Sequence, residues 1–130
     1  MPRFYFRKLV RDRVVNNCLE DPKVLHTEYR ALEGSEYIQE LIYKIQEEAA
    51  EIDAGDRHDA LKELADLQAV IDSIREELGF TEVELNEAKV DKMQQKGAFT
   101  KRHYIEYLDL ADDSEWIEYF RKDSEKYPES

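Results

Sequence analysis

Cysteine occurs once in the 130 residues, at Cys18. A disulfide within the chain is excluded, and a reducing cytoplasmic setting is the expectation. Cys18 reads as a small, partly buried apolar residue rather than a nucleophile. Cys and His form no cluster with ligand spacing, which argues against zinc. No apolar run approaches the ~20 residues of a membrane span. The opening MPRFYFRKLVRDR has no apolar stretch of signal-peptide type. Positive charge is also scarce: 19 Lys and Arg stand against 31 Asp and Glu, a formal net charge of −12. That balance argues against nucleic acid and against an anionic membrane surface as partners. Phosphate-bearing small molecules stay open, provided that a cation mediates.

The charge that is present is unevenly placed. Arg3, Arg7, Lys8, Arg11 and Arg13 crowd the first thirteen residues against one acid, Asp12. Lys89, Lys92, Lys96, Lys101 and Arg102 form a second basic group, and the middle and the C-terminal end hold most of the acids. A plain acidic solubility coat would be more even.

Periodicity predicts helices. Ile38, Leu41, Ile42, Ile45, Ala49 and Ile52 make one apolar stripe over 35–53, with Ser35 as N-cap and Gly55 as the stop. Leu61, Leu64, Leu67, Ile71, Ile74 and Leu78 make a second over 57–78, ended by Gly79. So short a connection favours an antiparallel pair. Thr81 and Glu84 form a capping box, with Phe80 and Leu85 as a hydrophobic staple, for a third helix to Lys96. Gly97 suits its C′ position. KLVRDRVVNNCL reads as a short helix with a turn at Asp21-Pro22, and KVLHTEYRAL and AFTKRHYIEYL read as extended. A final short helix is expected around Trp116, Ile117 and Phe120, with the terminal Pro-Glu-Ser fraying. The fold class is therefore all-α, with short extended segments near the N-terminus and after the third main helix.

Two of these helices carry paired acids three residues apart: Glu48 and Glu51 in EAAE, Glu63 and Asp66 in ELAD. That spacing puts both members of a pair on one side. If the stripes pack antiparallel, the four acids converge at the edge of the interface. Converged carboxylates must protonate, pair with bases or bind a cation. Oxygen-only ligands suit hard ions, Mg²⁺ or Mn²⁺. The blander reading is a solvated acidic surface, as expected for Glu47, Glu76, Glu77, Glu82 and Glu84. Lys44, one turn before Glu48, and Lys92, Lys96, Lys101 and Arg102 are candidates for phosphate, each against an alternative as solvated surface or ion pair. Lys8 and Arg11 fit either a pairing with core acids or contact with substrate. Asp72 reads as solvated, and His26, His58 and His103 as non-catalytic.

The order of these motifs resembles the MazG-like all-α nucleoside triphosphate pyrophosphatases, relatives of the phosphoribosyl-ATP pyrophosphohydrolases. The likeness rests on EEAAE and ELAD, on Lys8-Leu9-Val10-Arg11-Asp12, on Lys44 ahead of the first acid pair, and on Lys96, Gly97, Phe99, Lys101 and Arg102 in KGAFTKR. It spans roughly residues 5–107; residues 1–107 are taken as one domain, with 108–130 as an acidic aromatic appendage. RVV stands where that family branch has a proline after its VRD. The resemblance implies an antiparallel helical bundle and Mg²⁺ held by Glu48, Glu51, Glu63 and Asp66. It implies hydrolysis of a nucleoside triphosphate between the α and β phosphates, in house-cleaning of noncanonical nucleotides, with Glu48 or Glu51 activating water. A homodimer or higher even-numbered oligomer is expected, because three main helices are few for burying both acid-bearing ones. The rival reading is a non-catalytic helical interaction module; another keeps the fold and changes the substrate to a phosphoribosyl nucleotide.

Overall fold

The computed structural model describes residues 1–130 as five helices and no strand: α1 (Asp12–Glu20), α2 (Gly34–Ala50), α3 (Arg57–Glu77), α4 (Glu82–Lys96) and α5 (Trp116–Arg121). None is long and apolar enough to cross a membrane. The chain divides into two compact units, Met1–Asp91 and Lys92–Ser130.

In the first unit α2 packs along α3, the two joined by residues 51–56. Asp53 shapes that connection: its side chain accepts from the Gly55 N–H at 2.9 Å and its carbonyl from Asp56 N–H at 3.2 Å. Asp56 then caps α3, its carboxylate accepting from the N–H groups of His58 (3.1 Å) and Asp59 (3.2 Å). These are donors that a helix start otherwise leaves unpaired. Asp56→Ala is expected to cost about 1 kcal/mol, read as a lowered denaturant midpoint at unchanged slope.

The far end of α3 closes in a Schellman turn. Gly79 sits at φ +79°, its N–H donates to Glu76 O and that of Phe80 to Arg75 O, both at 3.0 Å. The Arg75 side chain returns to the same turn, donating to Phe80 O at 2.7 Å. α4 follows at once through the anticipated box: Glu84 N–H donates to Thr81 Oγ1 and Thr81 N–H to the Glu84 carboxylate, each at 3.1 Å. Glu84 is therefore a cap rather than a merely solvated acid.

The start and stop of α2 differ from expectation. Ser35 is not the N-cap; Glu33 is, in extended conformation and without a side-chain cap bond, and Gly34 follows at φ +61°. The first turn is tied instead by Arg30, whose guanidinium grips Glu36 through two bonds of 2.8 and 2.7 Å. The helix ends at Ala50, with Glu51 as C-cap, four residues before Gly55. α1 starts only at Asp12, so Lys8, Leu9, Val10 and Arg11 precede the helix rather than belong to it; the turn after it forms as expected, with Val24 N–H donating to Asp21 O at 3.0 Å. Residues 24–33 and 103–111 make no strand.

In the second unit α5 carries an aromatic cluster. Trp116, Tyr119, Phe120 and Tyr127 lie with ring centroids 4.8–6.3 Å apart, mostly edge to face. Near the chain end Arg121 donates to the Glu129 carboxylate through two bonds of 2.8 Å.

Burial is sparse. Leu41 is the one buried hydrophobic residue, and Glu48 the one buried charged residue. Leu61 and Leu64 of the α3 stripe are exposed, and no residue of α4 is buried.

Candidate metal centre

Packing α2 on α3 brings Glu48 against Glu63 and Asp66. One carboxylate oxygen from each lies within 4.8 Å of the others. Glu48 keeps only 9% of its surface exposed. Its Oε2 and the Oε2 of Glu63 are both shut from solvent without a hydrogen-bond partner. Buried unpaired carboxylate oxygens are costly, and a shared proton or a bound cation would offset that cost. The donor set is oxygen only, so the site fits a hard divalent ion such as Mg²⁺ or Mn²⁺. Acidic groups of this kind also occur without one.

Electrostatics follow from the crowding. Burial, then the charges of Glu51 and Asp66, push the Glu48 carboxyl up to about 6, with Lys44 opposing. Glu63 is raised too, by desolvation first and then by Glu51 and Asp66. Glu51, the C-cap of α2, lies outside the close group yet near enough to act on both. Sequence spacing thus put four acids on one side, and the fold brings three together with the fourth at the rim.

Cations flank the acids. Lys44, half-buried, donates to Glu47 at 3.0 Å and lies 3.9 Å from Glu48. Lys8 reaches the other oxygen of Glu47 at 2.7 Å. Arg11 donates to Asp66 Oδ1. Glu47 is not the merely solvated acid expected: its two lysines hold its carboxyl below the usual range, Lys8 most and then Lys44. Its place three residues after Lys44 was the available sign. Lys92, Lys96, Lys101 and Arg102 belong to the second unit, on α4 and just after it, and are exposed. His58 contributes its backbone N–H to the α3 cap, and Asp72 accepts from the Gln68 amide at 3.2 Å.

The raised Glu48 carboxyl gives a signed pH prediction. The folded chain holds this proton more tightly than the unfolded one. The stabilisation is therefore full below about pH 4.5 and is lost as pH rises through about 6. The loss amounts to about 2 kcal/mol. With chelator present, the wild-type melting midpoint should fall between pH 5 and 7 relative to that of Glu48→Gln. Parallel profiles for the two proteins would refute the assignment.

Compared with family models, with curated proteins and with solved structures, the chain matches none.

Proposed function

We propose that this chain is a divalent-metal-dependent hydrolase of the MazG-like all-α type. It would cleave a nucleoside triphosphate between the α and β phosphates, releasing monophosphate and pyrophosphate. The observation that carries this reading is the pair of buried, partnerless oxygens of Glu48 and Glu63 beside Asp66 on two facing helices. The order of KLVRD, EEAAE, ELAD and KGAFTKR along the chain supports the substrate class.

In this reading Glu48, Glu63 and Asp66 hold Mg²⁺, or Mn²⁺ in its place. The bound cation supplies Lewis-acid polarisation of the phosphoryl oxygens and offsets their charge. Without that offset a triphosphate would be repelled by the acids. Glu51, exposed at the end of α2 beside the group, is the acid free to orient the attacking water and take its proton. Lys44, 3.9 Å from Glu48, stands ready for a phosphate oxygen. Lys92, Lys96, Lys101 and Arg102 retain a phosphate role on the motif likeness alone. House-cleaning of noncanonical nucleotides is the cellular task this chemistry suits.

The working unit in this proposal is a homodimer or a higher even-numbered assembly. What supports this is the first unit's own sparse burial: Leu41 is its one buried hydrophobic residue, and α4 buries none.

The test is incubation with Mg²⁺ and a panel of canonical and modified nucleoside triphosphates, with products resolved by chromatography. Monophosphate plus pyrophosphate is the expected pair. Diphosphate plus phosphate would refute the cleavage position, and no turnover with any nucleotide would refute the enzyme.

A further inference from the structure

Arg11 joins residues far apart in the chain: its guanidinium Nη2 rests on Asp66 Oδ1, 55 positions on. Asp66 is one of the three grouped acids. The same carboxylate thus serves a cation already supplied by the protein. Arg11 is also the N-cap of α1, in extended conformation and with no side-chain cap bond. Its side chain can leave Asp66 without disturbing the helix. It is 66% exposed, and only Nη2 is engaged, so the other N–H groups of the fork are left without a protein acceptor. A cavity of about 300 Å³ has Arg11 and Lys44 on its wall together with Glu48 and Asp66, with Tyr37 and Ser73 further along it.

We propose that Arg11 is a tethered counter-ion of the acid group that yields Asp66 to a divalent cation and then binds phosphate oxygens of the substrate. The proposal rests on the metal-dependent phosphohydrolase reading above. Its logic is electrostatic. A guanidinium and a divalent ion on one carboxylate repel each other, and an exposed ion pair is weak enough to be the one that gives way. The displaced guanidinium finds an acceptor suited to its planar fork when an anionic phosphate arrives. Lys8 differs: its ammonium donates to Glu47 at 2.7 Å, outside the group of three acids, so a cation bound by that group does not compete for its partner.

The prediction has two arms with opposite signs. Arg11→Gln should bind Mn²⁺ alone about three- to fivefold more tightly than wild type, the worth of an exposed ion pair. The same variant should raise KM for the triphosphate about 10- to 100-fold, the worth of charge-assisted bonds to an anion. Arg11→Lys should recover part of the triphosphate affinity, since it keeps the charge and loses the fork. Mn²⁺ binding is followed by electron paramagnetic resonance, and the melting midpoint of each variant reports folding. A structural role alone would weaken both affinities together or neither. If wild type binds Mn²⁺ and hydrolyses triphosphate while Arg11→Gln changes neither value, the counter-ion proposal falls and the enzyme reading stands. If Arg11→Gln tightens Mn²⁺ but leaves KM unchanged, the phosphate role is overturned. If wild type binds no Mn²⁺, the metal reading falls and takes the proposal with it. Should Arg11→Gln melt early, the contrast between Arg11→Lys and wild type decides by the same two readouts.

Discussion

Glu48→Gln is expected to lower metal-dependent triphosphate hydrolysis by about 100-fold or more. Loss of a ligand's supporting hydrogen bond already costs 10- to 100-fold in metal sites of this kind, and here the ligand's own charge is removed. Glutamine keeps the shape of the buried side chain, so α2 and α3 should pack as before. The variant should even melt higher than wild type at pH 7 in chelator, because burial and two neighbouring acids disfavour the Glu48 charge. Lost activity with retained or improved stability separates a functional acid from a structural one. Asp66→Asn should also lose hydrolysis, while keeping an amide oxygen for Arg11. Glu47→Gln is the control from the next position along the helix. It weakens the hold on Lys8 and Lys44 but removes no member of the acid group, so its loss should be much smaller. A Glu48→Gln protein that turns over like wild type would remove the observation on which the assignment stands.

The acid group shows how far a sequence can be read. Three- and four-residue recurrence of apolar residues located α2 and α3, and the short link between them implied that their acid-bearing sides meet. Spacing alone treats Glu48 and Glu51 as equals, however, and the fold does not. α2 stops at Ala50, so Glu48 is held inside the last regular turn and buried, while Glu51 becomes the exposed C-cap. Glycine suggested a stop at Gly55. The connection is governed instead by Asp53 and Asp56, whose side chains satisfy backbone N–H groups. Asp directly before a helical pattern is the signal that locates such a cap. At the start of α2 the error had another cause: Ser35 has the right chemistry for a cap, but the Arg30–Glu36 pair ties that turn, and ion pairs across a loop leave no periodic trace. The Lys8–Glu47 and Arg11–Asp66 pairs realise one of the two alternatives open for those basic residues, but which acids they meet, 39 and 55 positions away, leaves no local trace. The capping box at Thr81, being wholly local, was read correctly with its bonds.

Assembly carries the other large expected effect. The first unit by itself leaves apolar side chains of α2, α3 and α4 uncovered. Ile45, Ile71, Ile74, Leu78, Phe80 and Leu85 surround an open cavity of about 500 Å³, and Val83 and Val90 of α4 are exposed as well. In the proposed assembly a second copy covers this face. Wild type should therefore sediment as a dimer or higher even-numbered species at micromolar concentration, with a melting midpoint that rises with concentration. Leu85→Glu gives the sharper test. In a lone chain Leu85 is 41% exposed, so a carboxylate there keeps its water and the cost is confined to the contact with Phe80. At a subunit interface the same carboxylate would be buried against apolar side chains and unpaired, and the assembly should dissociate to 15.5 kDa chains. A wild-type protein that is monomeric at micromolar concentration, or a Leu85→Glu variant that assembles like wild type, would place the missing burial elsewhere.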